Sequence, residues 1–182
     1  TFQDNPNLWI QNFRNHFQGL EVAGTFFVHP SWRKPVAKYP ISIQIDPGQA
    51  FGTGTHESTQ LCLEALVHLA PQSSNLLDVG TGSGILSVAA YKLNSFIKII
   101  ALDLDKLAVF EASKNSCINE TPGISYLIGT PASLIARFDL VIANLSLNTF
   151  RKEATDLEKL VGRNLCLSGF TLDQVDEVQE YF

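Results

Sequence analysis

Apolar and polar residues follow two alternating patterns along most of this chain of 182 residues. Short apolar runs of strand length predict buried strands at residues 76–79, 97–102, 124–128, 138–143 and 164–167. Stretches with helical periodicity follow them, at residues 85–93, 107–119, 149–161 and 172–182. Such alternation of strands and helices is typical of an α/β fold with a doubly wound, mostly parallel sheet.

The amino-terminal part of the chain is less regular. Its pattern predicts a helix over residues 6–17, a β-like segment over 20–28 that turns at Gly24, and a half-exposed strand over 41–46. We therefore divide the chain into a linker or amino-terminal extension, residues 1–40, and one domain, residues 41–182. The chain starts at Thr1 and has no Met, so we expect a processed chain or a piece of a longer one.

Composition narrows the classes of function. The net charge is −5 and no cluster of Lys or Arg stands out, so we do not expect nucleic-acid binding, whereas an acidic surface suits a basic protein partner. No apolar run reaches the ~20 residues of a membrane helix. The three cysteines and four histidines lack the spacing of metal ligands. We therefore expect no metal, and free, buried thiols in a reducing cytoplasm.

Candidate chemistry is concentrated where the strand at residues 76–79 ends. Asp78 lies in this run, and a loop with Gly80, Gly82 and Gly84 follows it. Glycine lets the backbone turn sharply and approach a ligand closely, because it has no Cβ. Asp103 comes at the end of the next predicted strand, where its carboxylate can accept both hydroxyls of a ribose. The pattern indicates a nucleoside site at the carboxyl edge of a parallel sheet.

The spacing of the glycines indicates which nucleoside. It is G-x-G-x-G, whereas dinucleotide sites have G-x-G-x-x-G and hold a pyrophosphate on a helix N-terminus. A ligand without phosphate, such as S-adenosylmethionine, needs only a close-fitting loop and the ribose acid. We predict a site for S-adenosylmethionine, in which Asp78 either supports the loop or faces the methionine amino group through water. A purely structural turn is the alternative for the glycines.

Asn144 follows the strand at residues 138–143, at the same edge as the glycine loop and Asp103. Its amide oxygen can accept a hydrogen bond from an amine and so aim the nitrogen lone pair at an electrophilic methyl group. A cap for a turn at the strand end is the alternative role. Residues 46–59, rich in Gly and hydroxyls, predict a ligand-contacting loop, or else a flexible connector that caps a helix running to residue 69.

With these residues assembled, the chain resembles the ribosomal protein L11 methyltransferase family (PrmA type). The resemblance is most specific at residues 46–56 and 58–63, and it covers essentially the whole chain. It implies a class I, Rossmann-like methyltransferase that uses S-adenosylmethionine to methylate lysine side chains and the α-amino group of a basic large-subunit ribosomal protein. It places cofactor contacts on Thr59, Gly80, Asp103 and Asn144, and the loop with Thr53 and His56 over the methyl group.

The same resemblance implies parts that this chain does not contain. Family members carry an amino-terminal domain that recognises the ribosomal protein, and class I sheets have seven strands. We therefore expect a fragment that lacks the recognition domain and the last two strands of the sheet. Two other functions stay open: a class I methyltransferase acting on another amine or small molecule, and a cofactor-binding remnant without activity.

Overall fold

The computed structural model describes residues 19–46 and 54–182. The helix predicted at residues 6–17, and Thr53, lie outside these ranges. The main sheet has five parallel strands in the order β6-β5-β4-β7-β8, where β4 is Asn75–Val79, β5 Lys98–Asp103, β6 Ile124–Ile128, β7 Phe138–Asn144 and β8 Val161–Ser168. This arrangement confirms the predicted α/β fold with a doubly wound sheet. Two further strands stay a prediction.

Five helices are described along the chain. They are α1 Glu57–Leu69, α2 Ile85–Leu93, α3 Lys106–Ile118, α4 Leu147–Leu160 and α5 Val175–Gln179. Short 3-10 helices occur at Ala70–Gln72, Pro131–Ser133 and Leu172–Gln174. In the part of the chain that the structure describes, no helix is long and apolar enough to cross a membrane.

The core lies on both faces of the main sheet. Successive residues of a strand point to opposite faces, and β4 shows this directly: Leu76 packs in one apolar cluster and Leu77 in the other. The first cluster contains α1, α2 and residues of the small sheet, whereas Phe150 and Leu157 of α4 pack in the second. Because both faces are covered, the strands read as nearly continuous apolar runs in the sequence.

A small three-stranded sheet precedes the main one. Its strands are β1 Leu20–Val22, β2 Phe26–His29 and β3 Ile41–Gln44, in the order β1-β2-β3. β1 and β2 pair antiparallel, whereas β2 and β3 pair in parallel. The strand predicted at 41–46 therefore shares a sheet with residues of the predicted linker. The division of the chain after residue 40 stays a prediction.

One side chain joins this small sheet to the main domain. The Oδ1 atom of Asn119, just after α3, accepts a hydrogen bond of 2.9 Å from the backbone N–H of Gln44 in β3. Its Nδ2 donates to the backbone oxygens of Gln44, at 2.7 Å, and of Asn115, at 2.9 Å. The amide of Asn119 thus pairs with β3 as the backbone of a neighbouring strand would.

Two predictions about local structure need correction. Val161 was predicted in a helix, but α4 ends at Leu160 and Val161 begins β8. The three thiols are free, as expected, yet only Cys62 is buried, whereas Cys166 is half-buried and Cys117 exposed. Cys117 lies near the carboxyl end of α3, which is the least amphipathic of the longer helices, so the pattern of its residues does not indicate which face is buried.

Candidate functional site

The glycine loop between β4 and α2 has a backbone that only glycine adopts without strain. Gly80, Gly82 and Gly84 have φ angles of 70°, 54° and 80°, in the left-handed region that disfavours other residues. A Cβ at Gly80 would collide with the side chain of Leu145, and one at Gly84 would lie 2.9 Å from the Cβ of Ala112. The loop therefore packs closely against the segment after β7 and against α3.

Asp78 supports this loop through hydrogen bonds to its buried carboxylate. Its Oδ2 accepts hydrogen bonds of 2.7 Å from the hydroxyls of both Thr81 and Ser87, while its Oδ1 is buried without a partner among the described residues. Complete burial, with a smaller effect of the charge of Asp103, raises the pKa of Asp78 to about 6, although the hydrogen bonds from the Ser87 and Thr81 hydroxyls lower it. Asp78 does not line the cavity described below.

Asp103 stands at the end of β5 and holds the glycine loop from the side. Its Oδ2 accepts a hydrogen bond of 3.0 Å from the N–H of Gly82, and its Oδ1 accepts one of 3.0 Å from Asp105. Asp105 in turn caps α3 through the N–H of Leu107, at 2.8 Å, as the sequence predicts. A carboxylate has about four lone-pair sites, so Asp103 keeps acceptor capacity for a ligand.

Asn144 occupies the end of β7 on the other side of β4. Its Nδ2 donates a hydrogen bond of 3.2 Å to the hydroxyl of Thr59 in the first turn of α1. Thr59 is buried and does not line the cavity, so it fixes the orientation of Asn144. Gly169, which follows β8, has a φ of 97° and packs against Asn144. A Cβ at this position would lie 2.7 Å from Oδ1 of Asn144.

His56 caps the start of α1. Its Nδ1 accepts a hydrogen bond of 3.3 Å from the N–H of Ser58 and lies 2.7 Å from the Ser58 hydroxyl. The N-terminus of α1 is also tied to the sheet, because the hydroxyl of Ser168 at the end of β8 donates 3.1 Å to the backbone oxygen of Ser58. His56 therefore stands on a fixed turn beside the carboxyl edge of the sheet, as the predicted cap of this helix.

A cavity of about 560 Å³ opens along this edge. Five predicted site residues line it: His56, Gly80, Gly82, Asp103 and Asn144. Three others, Thr59, Asp78 and Gly84, do not line it. Thr59 hydrogen-bonds to Asn144, which does, and Asp78 accepts a hydrogen bond from Thr81 within the glycine loop. Its charged lining residues are acidic, namely Asp103, Asp105 and Glu153, and no Lys or Arg of the described chain lines it.

Some residues that line this cavity were not predicted from the sequence. Residues 129–131 follow β6 at the same edge of the sheet, and the rule that ligands bind past strand ends could have identified them. Ser146, Thr149 and Glu153 belong to α4 and its cap. No spacing in the sequence separates them from the other polar residues of an amphipathic helix, because their position depends on how α4 packs.

Comparisons with known proteins show which family this chain belongs to. The sequence model of the family described as ribosomal protein L11 methyltransferase (PrmA) matches residues 3–182. Among curated proteins named ribosomal protein L11 methyltransferase, that of Geobacter sulfurreducens is 41% identical over 180 residues, which cover 96% of this chain and 58% of that protein. That of Nitratiruptor sp. is 37% identical over 176 residues, covering 96% and 61%. The chain thus spans about three fifths of these relatives.

Solved structures give the same result. The ribosomal protein L11 methylase of Lactobacillus delbrueckii subsp. bulgaricus superposes with a TM-score of 0.77 at 26% identity, covering 91% of this chain and 86% of that one. A precorrin-6y C5,15-methyltransferase of Geobacter metallireducens, at 15% identity and a TM-score of 0.59, shares the fold alone. The chain belongs to the ribosomal protein L11 methyltransferase (PrmA) family.

Proposed function

We propose that this chain binds S-adenosylmethionine and transfers its methyl group to amines of a basic ribosomal protein, the lysine side chains and the α-amino group of ribosomal protein L11. One observation carries the proposal: a single cavity holds the glycine loop with Asp103 at one side and Asn144 at the other. The family name of the relatives supports the same activity and the same protein substrate.

The charges of the cavity favour this cofactor over a dinucleotide. S-adenosylmethionine carries a positive sulfonium and no phosphate, whereas a nicotinamide dinucleotide brings two negative phosphates. The cavity has three carboxylates and no Lys or Arg from the described residues. A pyrophosphate would face like charges there without a counter-ion, whereas a sulfonium meets opposite charges.

Methyl transfer needs alignment more than acid–base chemistry. The sulfonium supplies an electrophilic methyl carbon and leaves as a neutral thioether, and the amine nitrogen forms the new bond with its lone pair. Because Nδ2 of Asn144 is engaged by Thr59, its Oδ1 is the amide atom that accepts from the incoming N–H. Holding the amine about 3–3.5 Å from the methyl converts the reaction into a unimolecular step. Thr53 and His56 are proposed to cover the methyl group, as the resemblance to the family implies.

Calorimetry on the 182-residue chain tests the cofactor. We expect saturable binding of S-adenosylmethionine and S-adenosylhomocysteine, and no heat with NAD under the same conditions. Binding of NAD in preference to S-adenosylmethionine would overturn the assignment. If the chain binds S-adenosylmethionine but the complete gene product transfers no methyl group, the protein is a cofactor-binding remnant without activity.

Methyl transfer is tested with labelled S-adenosylmethionine, ribosomal protein L11 and, as a control, free lysine methyl ester. We expect label on the ribosomal protein, located by mass spectrometry on lysines and on the amino terminus. Since the chain spans three fifths of its relatives, the complete gene product is assayed beside it. Label on the small amine but not on the protein, with both proteins, would instead identify a small-molecule methyltransferase.

A further inference from the structure

Glu153 of α4 is a carboxylate that the structure leaves without a protein partner inside the cavity. It is half-buried and lines the cavity with Thr149, one turn earlier on the same helix face. It makes no hydrogen bond or ion pair to any residue of the described ranges. Its neighbours on α4 differ in this respect: Arg151 pairs with Glu177 of α5, and Lys159 pairs with Asp156. A carboxylate at the wall of a cavity, with no acceptor position taken by the described residues, has capacity to accept hydrogen bonds from a ligand.

The strand order and the contacts of α4 together indicate which end of the cavity is nearer to Glu153. Asn144 ends β7, and Gly129 follows β6, so these two residues stand on opposite sides of β4 and β5. Three strand spacings separate them, roughly 14 Å. α4 packs against the short helix Pro131–Ser133 that follows Gly129. Glu153 is six residues beyond the first residue of α4, roughly 9 Å along the helix axis from the Asn144 end.

The segment after β6 also begins beside the acid that is proposed to bind the ribose. The N–H of Gly129 donates a hydrogen bond of 3.0 Å to the backbone oxygen of Asp103. A nucleoside with its ribose on Asp103 and its methyl near Asn144 therefore has its base between Leu104 and Pro131, which both line the cavity. These apolar side chains suit the faces of an aromatic ring, whereas the ring edge needs polar partners.

We propose that Glu153 recognises the adenine base of the cofactor by accepting a hydrogen bond from its exocyclic amine. This inference rests on the proposed function. A carboxylate only accepts hydrogen bonds, so it matches the amine of adenine and opposes the oxygen that a 6-oxo base carries at the same position. Glu153 thus selects the base, whereas Asp103 holds the ribose and the glycine loop receives the rest of the ligand.

The test compares S-adenosylhomocysteine with S-inosylhomocysteine, in which an oxygen replaces the exocyclic amine and the neighbouring ring nitrogen N1 carries a proton. We expect the wild-type chain to bind the adenosyl compound about tenfold to a hundredfold more tightly, as for loss of one charge-assisted hydrogen bond. Glu153→Ala should bind both compounds within about twofold of each other. Glu153→Gln, whose amide both accepts and donates, should recover affinity for the inosyl compound. Glu158→Ala, on the exposed side of the same helix, should behave as the wild type.

The outcomes separate this inference from the proposed function. If the wild-type chain binds neither compound, the proposed function fails and the inference falls with it. If it binds the adenosyl compound, but Glu153→Ala keeps the full preference for it, the inference is overturned while the cofactor assignment stands. If Glu153→Ala keeps that preference and raises the KM for the amine substrate, Glu153 contacts the protein substrate instead. Thermal melting of each variant checks that the fold is intact.

Discussion

Asp103 is the residue whose replacement tests the cofactor site most directly. Its two carboxylate oxygens already accept backbone hydrogen bonds of 3.0 Å from Gly82 and Asp105. In the proposed complex they also accept from the ribose hydroxyls. Asp103→Ala removes both contributions at once, because the loop loses the acceptor that holds the N–H of Gly82 and the ligand loses its ribose partner. Hydrogen bonds to a charged group contribute about 1.5–3 kcal/mol each.

We therefore expect Asp103→Ala to raise the Kd for S-adenosylmethionine by about tenfold to a hundredfold. Asp103→Asn keeps one acceptor oxygen but replaces the other by a donor, so its Kd should fall between those of the wild type and Asp103→Ala. Isothermal calorimetry gives these Kd values, and thermal melting reports the loop contribution. Asp139→Asn is a matched control, since Asp139 also accepts a backbone hydrogen bond, from Ser74 at 2.7 Å, but at the other end of the strands.

Two results would contradict the role proposed for Asp103 in cofactor binding. An unchanged Kd in Asp103→Ala, with a lowered melting temperature, would mean that Asp103 only fastens the glycine loop. An equal loss of affinity in Asp139→Asn would mean that the effect comes from general destabilisation.

Three further expectations follow from the site. Gly82→Val should abolish cofactor binding through strain at a φ of 54°, and normal calorimetric binding by a variant with an unchanged melting transition would make the loop a structural turn only. Asn144→Ala should lower the single-turnover rate of the complete gene product at saturating cofactor more than it raises the Kd, and wild-type turnover would reject this role. Asp78→Asn should flatten the pH dependence of unfolding: the pKa is raised from 3.8 to about 6, so the Asp78 contribution is complete below pH 4 and is lost as the pH rises through 6, about 3 kcal/mol in total. Urea titrations at pH 4.5 and 7.5 measure about 2 kcal/mol of this change, and an equal pH dependence in both proteins would contradict it.

Sequence reasoning performed best where a local pattern decides the structure. Helix α2 was predicted at residues 85–93 and has those bounds, because an apolar face and a preceding glycine loop define it locally. The residues past the ends of β4, β5 and β7 were placed correctly at one edge, since parallel strands share their carboxyl edge.

Features that depend on contacts between residues far apart in the sequence were not predicted. The pairing of β3 with β2 depends on a connection whose path no periodicity encodes. Glu153 lies on a strongly amphipathic helix with other acids, and only the packing of α4 against residues 131–133 turns it toward the cavity. The buried support of Asn144 by Thr59 joins residues 85 positions apart.

The amide of Asn119 has a consequence for the order in which the chain folds during translation. Its partner Gln44 leaves the ribosome 75 residues earlier. At about 5–20 residues per second, synthesis takes roughly 4–15 s to supply Asn119. Throughout that interval the nascent small sheet has one edge without its partner, and for more than the first half of it the α2 residues of its apolar cluster are also still to be made. An exposed strand edge can pair with other chains, so during this interval the small sheet is open to such pairing at the edge that Asn119 later occupies.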